Sequence, residues 1–135
     1  MKNHGIRFLG ESWMKILIVE DDKQLLNLTE GLIQGMGHET CSANNGWNAY
    51  EILKDDFTFD AIICDFNMPI MTGLELRLKI DSEFESCPPF ILVSGNIEQI
   101  TEIEHKKMFY CLLKKPSGIS LIEEKLNEIA KLSML

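Results

Sequence analysis

An apolar run that ends in three carboxylates lies near the start of the chain: Lys15-Ile16-Leu17-Ile18-Val19-Glu20-Asp21-Asp22. Three later apolar runs end in Asp65, Ser94 and Lys115. Short runs of this kind, rich in β-branched residues, are typical of strands buried on both faces of a parallel sheet. The carboxyl ends of such strands form one rim, where ligands bind. The sequence therefore predicts that carboxylates, a hydroxyl and an amine converge at one edge of a sheet.

The apolar runs alternate with segments whose apolar residues recur at helical spacing. We predict strands at residues 15–20, 38–43, 61–65, 90–94 and 109–114. We predict helices at residues 23–36, at 47–54, from the capping box Thr72–Glu75 onward, at 97–108, and along an apolar stripe at 121–132. Strands that alternate with helical segments of about 10–15 residues indicate βαβ crossovers. The predicted fold class is therefore α/β, a parallel sheet with helices on both faces.

The composition limits what the protein can bind and where it works. A chain of 135 residues fits one domain. Its net charge of −8 argues against DNA as a partner, because affinity for the phosphate backbone comes from Lys and Arg. No apolar stretch approaches the roughly 18 residues that a membrane span needs. Because residues 1–13 also lack the pattern of a secretory signal, we expect a cytoplasmic protein with no membrane partner.

The four cysteines and three histidines give no sign of a metal centre. The cysteines are far apart in sequence and form no C-x-x-C pair, so we expect free thiols in a reducing compartment. Met14 directly precedes the first predicted strand. Residues 1–13 are therefore interpreted as an N-terminal extension or an over-called start, with the domain at residues 14–135.

The residues at the rim suggest phosphoryl chemistry supported by a metal. Mg²⁺ prefers oxygen ligands and is often held by one or two carboxylates together with phosphate oxygens, which Asp21, Asp65 and a backbone carbonyl could supply. A carboxylate can also attack phosphorus, and Asp65 is the better candidate because it is single and central. Lys115 would then pair with one phosphoryl oxygen and the Ser94 hydroxyl would donate to another.

Four motifs in this order resemble the receiver domains of two-component response regulators. The first three are the stretch at residues 15–22, the stretch Cys64-Asp65-Phe66-Asn67-Met68-Pro69-Ile70-Met71-Thr72-Gly73-Leu74-Glu75, and Val93-Ser94-Gly95; the fourth is Lys115-Pro116. The resemblance spans roughly residues 14–132. It implies a flavodoxin-like sheet with strand order 2-1-3-4-5, an order that comes from the family and not from the spacing of the motifs.

The resemblance also implies a role for each motif residue. Asp65 matches the phosphoacceptor, Ser94 the hydroxyl that follows the phosphoryl group, and Lys115 the motif lysine, with a cis bond before Pro116. Asp21 matches the direct Mg²⁺ ligand, Glu20 a ligand through water, and Asn67 the residue that offers its backbone carbonyl. If the register of the acidic triplet slips by one, Asp22 replaces Asp21, although we favour Asp22 as a helix cap.

The function that the resemblance implies is that of a stand-alone response regulator. A sensor histidine kinase or a histidine phosphotransfer protein would phosphorylate Asp65 with Mg²⁺ as cofactor, and the altered surface would bind a downstream protein. The chain would act only on itself, through its own phosphorylation and dephosphorylation. One alternative is a phosphorylation-independent interaction module with the same fold. Another is a phosphatase for small phosphoesters, but Asn67 stands where that chemistry needs a general acid.

One position departs from the family pattern. Receivers commonly carry an aromatic residue three positions before the motif lysine, where this chain has Leu112. Tyr110 is nearby, and alternation along a strand places Tyr110 and Leu112 on the same face, about 6–7 Å apart. We therefore expect a weakened or different readout surface at the fourth helix and fifth strand.

Overall fold

A computed structural model describes residues 13–96, 98, 103–115 and 119–132. Within them, one sheet contains five parallel strands: β1 (Lys15–Val19), β2 (Glu39–Ala43), β3 (Ala61–Asp65), β4 (Phe90–Ser94) and β5 (Cys111–Lys114). The strand order is β2-β1-β3-β4-β5. It confirms the predicted α/β class and the order that the resemblance implies. Of the first 13 residues, only Trp13 is among the residues described.

Helices connect the strands and cover the sheet on both faces. Their bounds are α1 (Lys23–Gly35), α2 (Gly46–Asp55), α3 (Gly73–Glu83), α4 (Ile103–Lys106) and α5 (Ile119–Leu132). One buried cluster lies between the sheet and α1 with α5, and a second lies between the sheet and α2 with α3. Every residue of β3 and β4 is buried. Among the described helices, none combines the length and apolar character that crossing a membrane requires.

The first helix begins and ends where its sequence predicts. The Asp22 side chain accepts hydrogen bonds from the backbone N–H groups of Gln24 and Leu25 at 3.0 and 3.2 Å, so it caps α1. At the other end, Gly37 has a φ of 97°, a conformation that glycine adopts without steric cost. Because the Asp22 carboxylate serves as the cap, Asp21 is left as the exposed acid that precedes the helix.

The largest departures from the predicted elements occur just before β5. Helix α4 ends at Lys106, and β5 begins only at Cys111. The backbone N–H groups of Met108 and Phe109 donate to carbonyls of the α4 segment, at 3.1 and 3.3 Å. These residues therefore complete the end of a helix instead of belonging to a helix interior and a strand. Most of the first half of the predicted fourth helix lies outside the described residues.

Tyr110 and Leu112 lie on opposite faces of the sheet, so the prediction that they share one face is wrong. Tyr110 packs against the cluster beneath α1 and α5, and its hydroxyl donates to the Glu128 carboxylate at 2.8 Å. Leu112 packs against the cluster beneath α2 and α3. Simple alternation fails here because Tyr110 precedes the regular part of β5.

The loop that leads from β3 to α3 is fixed at its far end. The Gly73 N–H donates to the Phe66 carbonyl at 2.9 Å. Thr72 and Glu75 form the predicted capping box, each side chain accepting from the other's backbone N–H. A Cβ atom at Gly73 would lie 2.6 Å from the carbonyl oxygen of Asp65. Only glycine therefore allows α3 to begin this close to the end of β3.

The middle of the same loop contains a strained turn. The Met71 N–H donates to the Pro69 carbonyl at 2.7 Å, closing a three-residue turn around Ile70, whose φ is 75°. Turns of this kind with positive φ are rare and strained, and a β-branched residue in that region is an outlier. The Ile70 side chain is 78% exposed, so its own packing does not offset the strain.

Substitution of two glycines is expected to have opposite effects. Gly73→Ala should lower the free energy of unfolding by about 1–3 kcal/mol, because its Cβ would collide with the Asp65 carbonyl and with Leu92. Gly31→Ala lies inside α1 with nothing within 4 Å of the added atom, and should raise that free energy by about 0.5–1 kcal/mol. Urea denaturation followed by circular dichroism measures both. A Gly73→Ala protein as stable as wild type would contradict this account of the loop.

Relief of the strained turn is expected to stabilise the fold. Ile70→Asn should raise the free energy of unfolding by about 1 kcal/mol, since asparagine tolerates positive φ and no buried contact is lost. Ile70→Val is the matched control, because it keeps the β-branch, and it should stay within about 0.5 kcal/mol of wild type. Parallel urea titrations compare the two. Equal stabilities for both variants would show that the turn stores no strain.

Candidate functional site

Four strands deliver polar side chains to one edge of the sheet. Asp65 is the last residue of β3, and Glu20 with Asp21 follows β1, the neighbour of β3 on one side. Ser94 is the last residue of β4, the neighbour on the other side, and Lys115 follows β5. The parallel order thus brings residues that are up to 95 positions apart in sequence to one place.

Lys115 links the two buried carboxylates of this site. Its Nζ atom lies 3.0 Å from Oδ1 of Asp65 and 3.3 Å from Oε1 of Glu20. Its backbone N–H donates to the Ser94 carbonyl at 2.7 Å, which continues the pairing of β5 with β4 and fixes the start of the side chain. The Lys115 side chain therefore reaches past the end of β4 to Asp65 at the end of β3 and to Glu20 just after β1.

The three acids form a compact group. One carboxylate oxygen from each of Glu20, Asp21 and Asp65 lies within 4.8 Å of the others. Asp65 and Glu20 are only 6% and 7% exposed, whereas Asp21 faces solvent. With all three ionised and Lys115 protonated, the group carries a net charge of minus two. Like charges this close raise one another's proton affinity unless a cation offsets them.

Burial governs the proton affinity of the two inner acids. It raises the pKa of Asp65 above its ordinary value, with a further rise from the Asp21 charge, while the Lys115 ammonium opposes it. Burial also raises the pKa of Glu20, against the hydrogen bond from the Asp22 backbone and the charge of Lys115. Both carboxylates are therefore held in a setting that disfavours their charged form and favours a bound cation.

Backbone N–H groups orient the same acids. The Asp22 N–H donates to Oε2 of Glu20 at 3.1 Å, and the backbone N–H of Asn67 lowers the pKa of Asp65. Sequence analysis missed the bond to Glu20 and the link that Lys115 makes between Glu20 and Asp65. The position of Asp22 just after the strand was the only signal for the first, and no local pattern encodes the second.

Ser94 and Asn67 occupy the flanks of the site. Ser94 is 1% exposed, and its Oγ accepts a hydrogen bond from the Asn96 N–H at 3.1 Å. Asn67 is exposed and approaches Asp65 through the backbone N–H described above, while the role of its carbonyl stays a prediction. Pro116, and with it the predicted cis bond, lies outside the described residues.

The cysteines and His38 do not belong to this group of acids. All four cysteines are free, as predicted. His38 is buried, and its Nδ1 accepts a hydrogen bond from the Met14 N–H at 2.9 Å. In the part of the chain that the structure describes, Glu20, Asp21 and Asp65 are the one group of three such side chains placed to hold a metal ion.

The donor set of this group fits Mg²⁺. The ion prefers octahedral oxygen coordination, keeps several waters and is commonly held by one or two carboxylates. Three carboxylate oxygens within 4.8 Å are close enough for two direct ligands and one that acts through water. Two positive charges would also cancel the net charge of the group.

Comparison with known proteins agrees with the fold and with the motifs. Residues 16–127 match the response regulator receiver domain family. The chain is 29% identical to a chemotaxis protein CheY homolog of Campylobacter jejuni over 121 residues, which cover 86% of this chain and 92% of the relative. It is 31% identical to chemotaxis protein CheY-3 of Vibrio cholerae over 120 residues, with 86% and 91% coverage.

A solved structure of the same fold is the response regulator protein TrrA from Thermotoga maritima, crystallised in complex with Mg²⁺ and BeF. Its TM-score to this chain is 0.76 at 23% identity, with 85% of this chain and 97% of that chain covered. At that identity the likeness concerns the fold alone. The family match over residues 16–127 goes further, and together with the rim of strand-end acids it establishes that this chain belongs to the response regulator receiver domains.

Proposed function

We propose that this receiver is a phosphorylation switch in which Asp65 accepts a phosphoryl group. The observation that carries the proposal is the charge of the site. Three clustered carboxylates and one ammonium give a net charge of minus two, which one Mg²⁺ ion would neutralise. Such a site gains a divalent cation and then has a carboxylate next to two positive groups. That is the setting a carboxylate needs to act as a nucleophile toward phosphorus.

The residues proposed to hold Mg²⁺ are Asp21 and Asp65 directly, Glu20 through water, and Asn67 through its backbone carbonyl. The TrrA protein, which shares the fold, was crystallised with Mg²⁺ and a BeF group, which supports Mg²⁺ as the ion proposed for this site. When bound, the ion neutralises charge on the phosphoryl oxygens. Glu20, held by the Asp22 N–H and by Lys115, would keep the acidic face of the site in position.

The proposed transfer requires only the residues of the site, the phosphoryl donor and a water molecule that supplies one proton. A carboxylate oxygen of Asp65 attacks phosphorus, and the bond from phosphorus to the histidine nitrogen of the donor breaks. The electron pair stays on that nitrogen, which takes a proton from water. Lys115 pairs with one phosphoryl oxygen, and the Ser94 hydroxyl, whose oxygen accepts from the Asn96 N–H, donates its own proton to another.

The proposed partners follow from this chemistry. A sensor histidine kinase or a histidine phosphotransfer protein supplies the phosphoryl group, and a downstream protein recognises the altered surface. The place of action is the cytoplasm, which four free cysteines support. With Leu112 in place of an aromatic residue, and Tyr110 bound to Glu128 on the opposite face, the readout at α4 and β5 is proposed to differ from that of receivers with the aromatic residue.

Phosphorylation at Asp65 can be tested by intact mass. Incubation with acetyl phosphate and Mg²⁺ should give wild type a single phosphoryl adduct, and EDTA should abolish it, because the transfer needs the metal. Asp65→Asn should give no adduct, since it lacks the nucleophile. Asp55→Asn is the matched control: Asp55 lies at the exposed end of α2, and the variant should be modified like wild type. An adduct on Asp65→Asn would mean that another residue is phosphorylated and would refute Asp65 as the acceptor. No adduct on wild type would leave the phosphorylation-independent module as the function.

The acidic triplet can be assigned by metal titration. Asp21→Asn should weaken Mg²⁺ binding at least about tenfold in isothermal titration calorimetry, because a direct ligand is lost. Asp22→Asn should bind like wild type, since asparagine also caps helices and Asp22 points at the α1 amides. The reverse pattern would make Asp22 the ligand and shift the register of the triplet by one residue.

A further inference from the structure

A cavity of about 170 Å³ lies between α1 and α5, beneath the carboxyl ends of β1, β3 and β4. Its wall comes from both helices and all three strands: the apolar side chains of Ile18, Val19, Leu25, Ile63, Val93 and Ile122, with the hydroxyl-bearing Thr29 beside them. The volume is similar to that of engineered apolar cavities of about 150 Å³, which bind benzene. The helix packing on this side of the sheet therefore leaves room for a small ligand.

One end of this cavity is charged. Glu20, Asp65 and Lys115 line it, and the Lys115 ammonium lies 3.0 and 3.3 Å from the two carboxylates. Two acids and one base leave this end with one net negative charge, and Asp21 adds another nearby. A carboxylate has about four lone-pair sites, so both acids can accept hydrogen bonds beyond the ones from Lys115. The cavity thus has an apolar body and an anionic end.

We propose that this cavity binds a small protonated amine with a short apolar tail. The tail fills the space between Thr29 and Ile122, and the ammonium group donates to the carboxylates of Glu20 and Asp65. Ligand sites are mostly apolar with a few convergent polar groups, as here. A carboxylate ligand of the same shape meets the net negative charge, and a neutral alcohol gains no ion pair.

The proposed site adds a form of regulation to the switch. Glu20 and Asp65 belong both to the cavity and to the acidic group that fits Mg²⁺. An ammonium group seated there satisfies the carboxylates that the metal needs, so amine and metal compete. Binding of the amine itself needs neither metal nor phosphorylation, so this inference stands apart from the proposed phosphoryl transfer.

The test is an NMR titration of metal-free protein carrying labelled Ile, Leu and Val methyl groups. The probes are benzylamine, benzyl alcohol and benzoate at equal pH and ionic strength. Benzylamine should shift the methyl signals of Ile18, Ile63, Val93 and Ile122 in a saturable way. It should bind at least about tenfold more tightly than either other probe, the effect of one favourable ion pair in a partly buried site. Added Mg²⁺ should raise the apparent dissociation constant of benzylamine.

A pair of substitutions at one position locates the site. Thr29→Leu extends a longer side chain into the cavity and should weaken benzylamine binding by at least about tenfold. Thr29→Val keeps the volume of the side chain and should bind like wild type. If the NMR spectrum shows that Thr29→Leu does not fold, Leu25→Phe takes the place of Thr29→Leu in the comparison. The phenylalanine fills the same cavity from the first turn of α1.

Three results would overturn the proposal. These are the absence of saturable shifts, equal binding by both Thr29 variants, and equal affinity for the amine and the alcohol. Asp65→Asn separates this inference from the proposed function. That variant accepts no phosphoryl group, yet it keeps the cavity and should still bind benzylamine, more weakly because one charge is gone. A wild-type protein that binds the amine but forms no adduct with acetyl phosphate would retain this site and refute the switch.

Discussion

The site depends on one interaction, the pairing of the Lys115 ammonium with the buried carboxylates of Asp65 and Glu20. Two acids that are less than one tenth exposed could not remain ionised side by side without a cation. The pairing in turn follows from the strand order, because β1 and β3 are neighbours and only β4 separates β3 from β5, which puts the end of β5 within reach of a lysine side chain. The charge pairing in the site therefore depends directly on the strand order of the fold.

This arrangement has a cost for stability that follows from the direction of the pKa shifts. Burial raises the pKa of both Asp65 and Glu20. At pH values between the unfolded and folded pKa values, the folded state therefore keeps protons on these carboxylates that the unfolded state has released. Their contribution is fully favourable below the unfolded pKa values and is lost as pH rises through the folded ones. At neutral pH the acids weaken the fold, and any cation that binds only the folded state offsets the loss. The proposed Mg²⁺ would therefore stabilise the fold most where the burial of these acids weakens it.

The sequence predicted the bounds of an element best where a single physical rule determines the local structure. The predicted bounds of β3 and β4 match the structure because both are uninterrupted apolar runs, buried throughout. The prediction was wrong near Tyr110, where hydrogen bonds at the end of α4 delay the start of β5, and a side chain before the strand follows no alternation. The link from Lys115 to Glu20 could not be predicted, because it spans 95 positions and depends on side-chain reach past the ends of β4 and β3.

The rules of local structure are broken most clearly beside Asp65. Ile70 adopts a φ of 75° with its side chain exposed, and Gly73 lets α3 begin in close contact with the Asp65 carbonyl. The Ile70 side chain belongs to neither buried cluster, whereas Gly73 is buried and lies against Leu92 of the core. Both lie on the short path from the end of β3 into α3, on which the backbone N–H of Asn67 lowers the pKa of Asp65. A longer loop would relieve the turn at Ile70 but would lengthen the connection between Asp65 and α3, so we interpret the strain as the cost of a short connection beside the site.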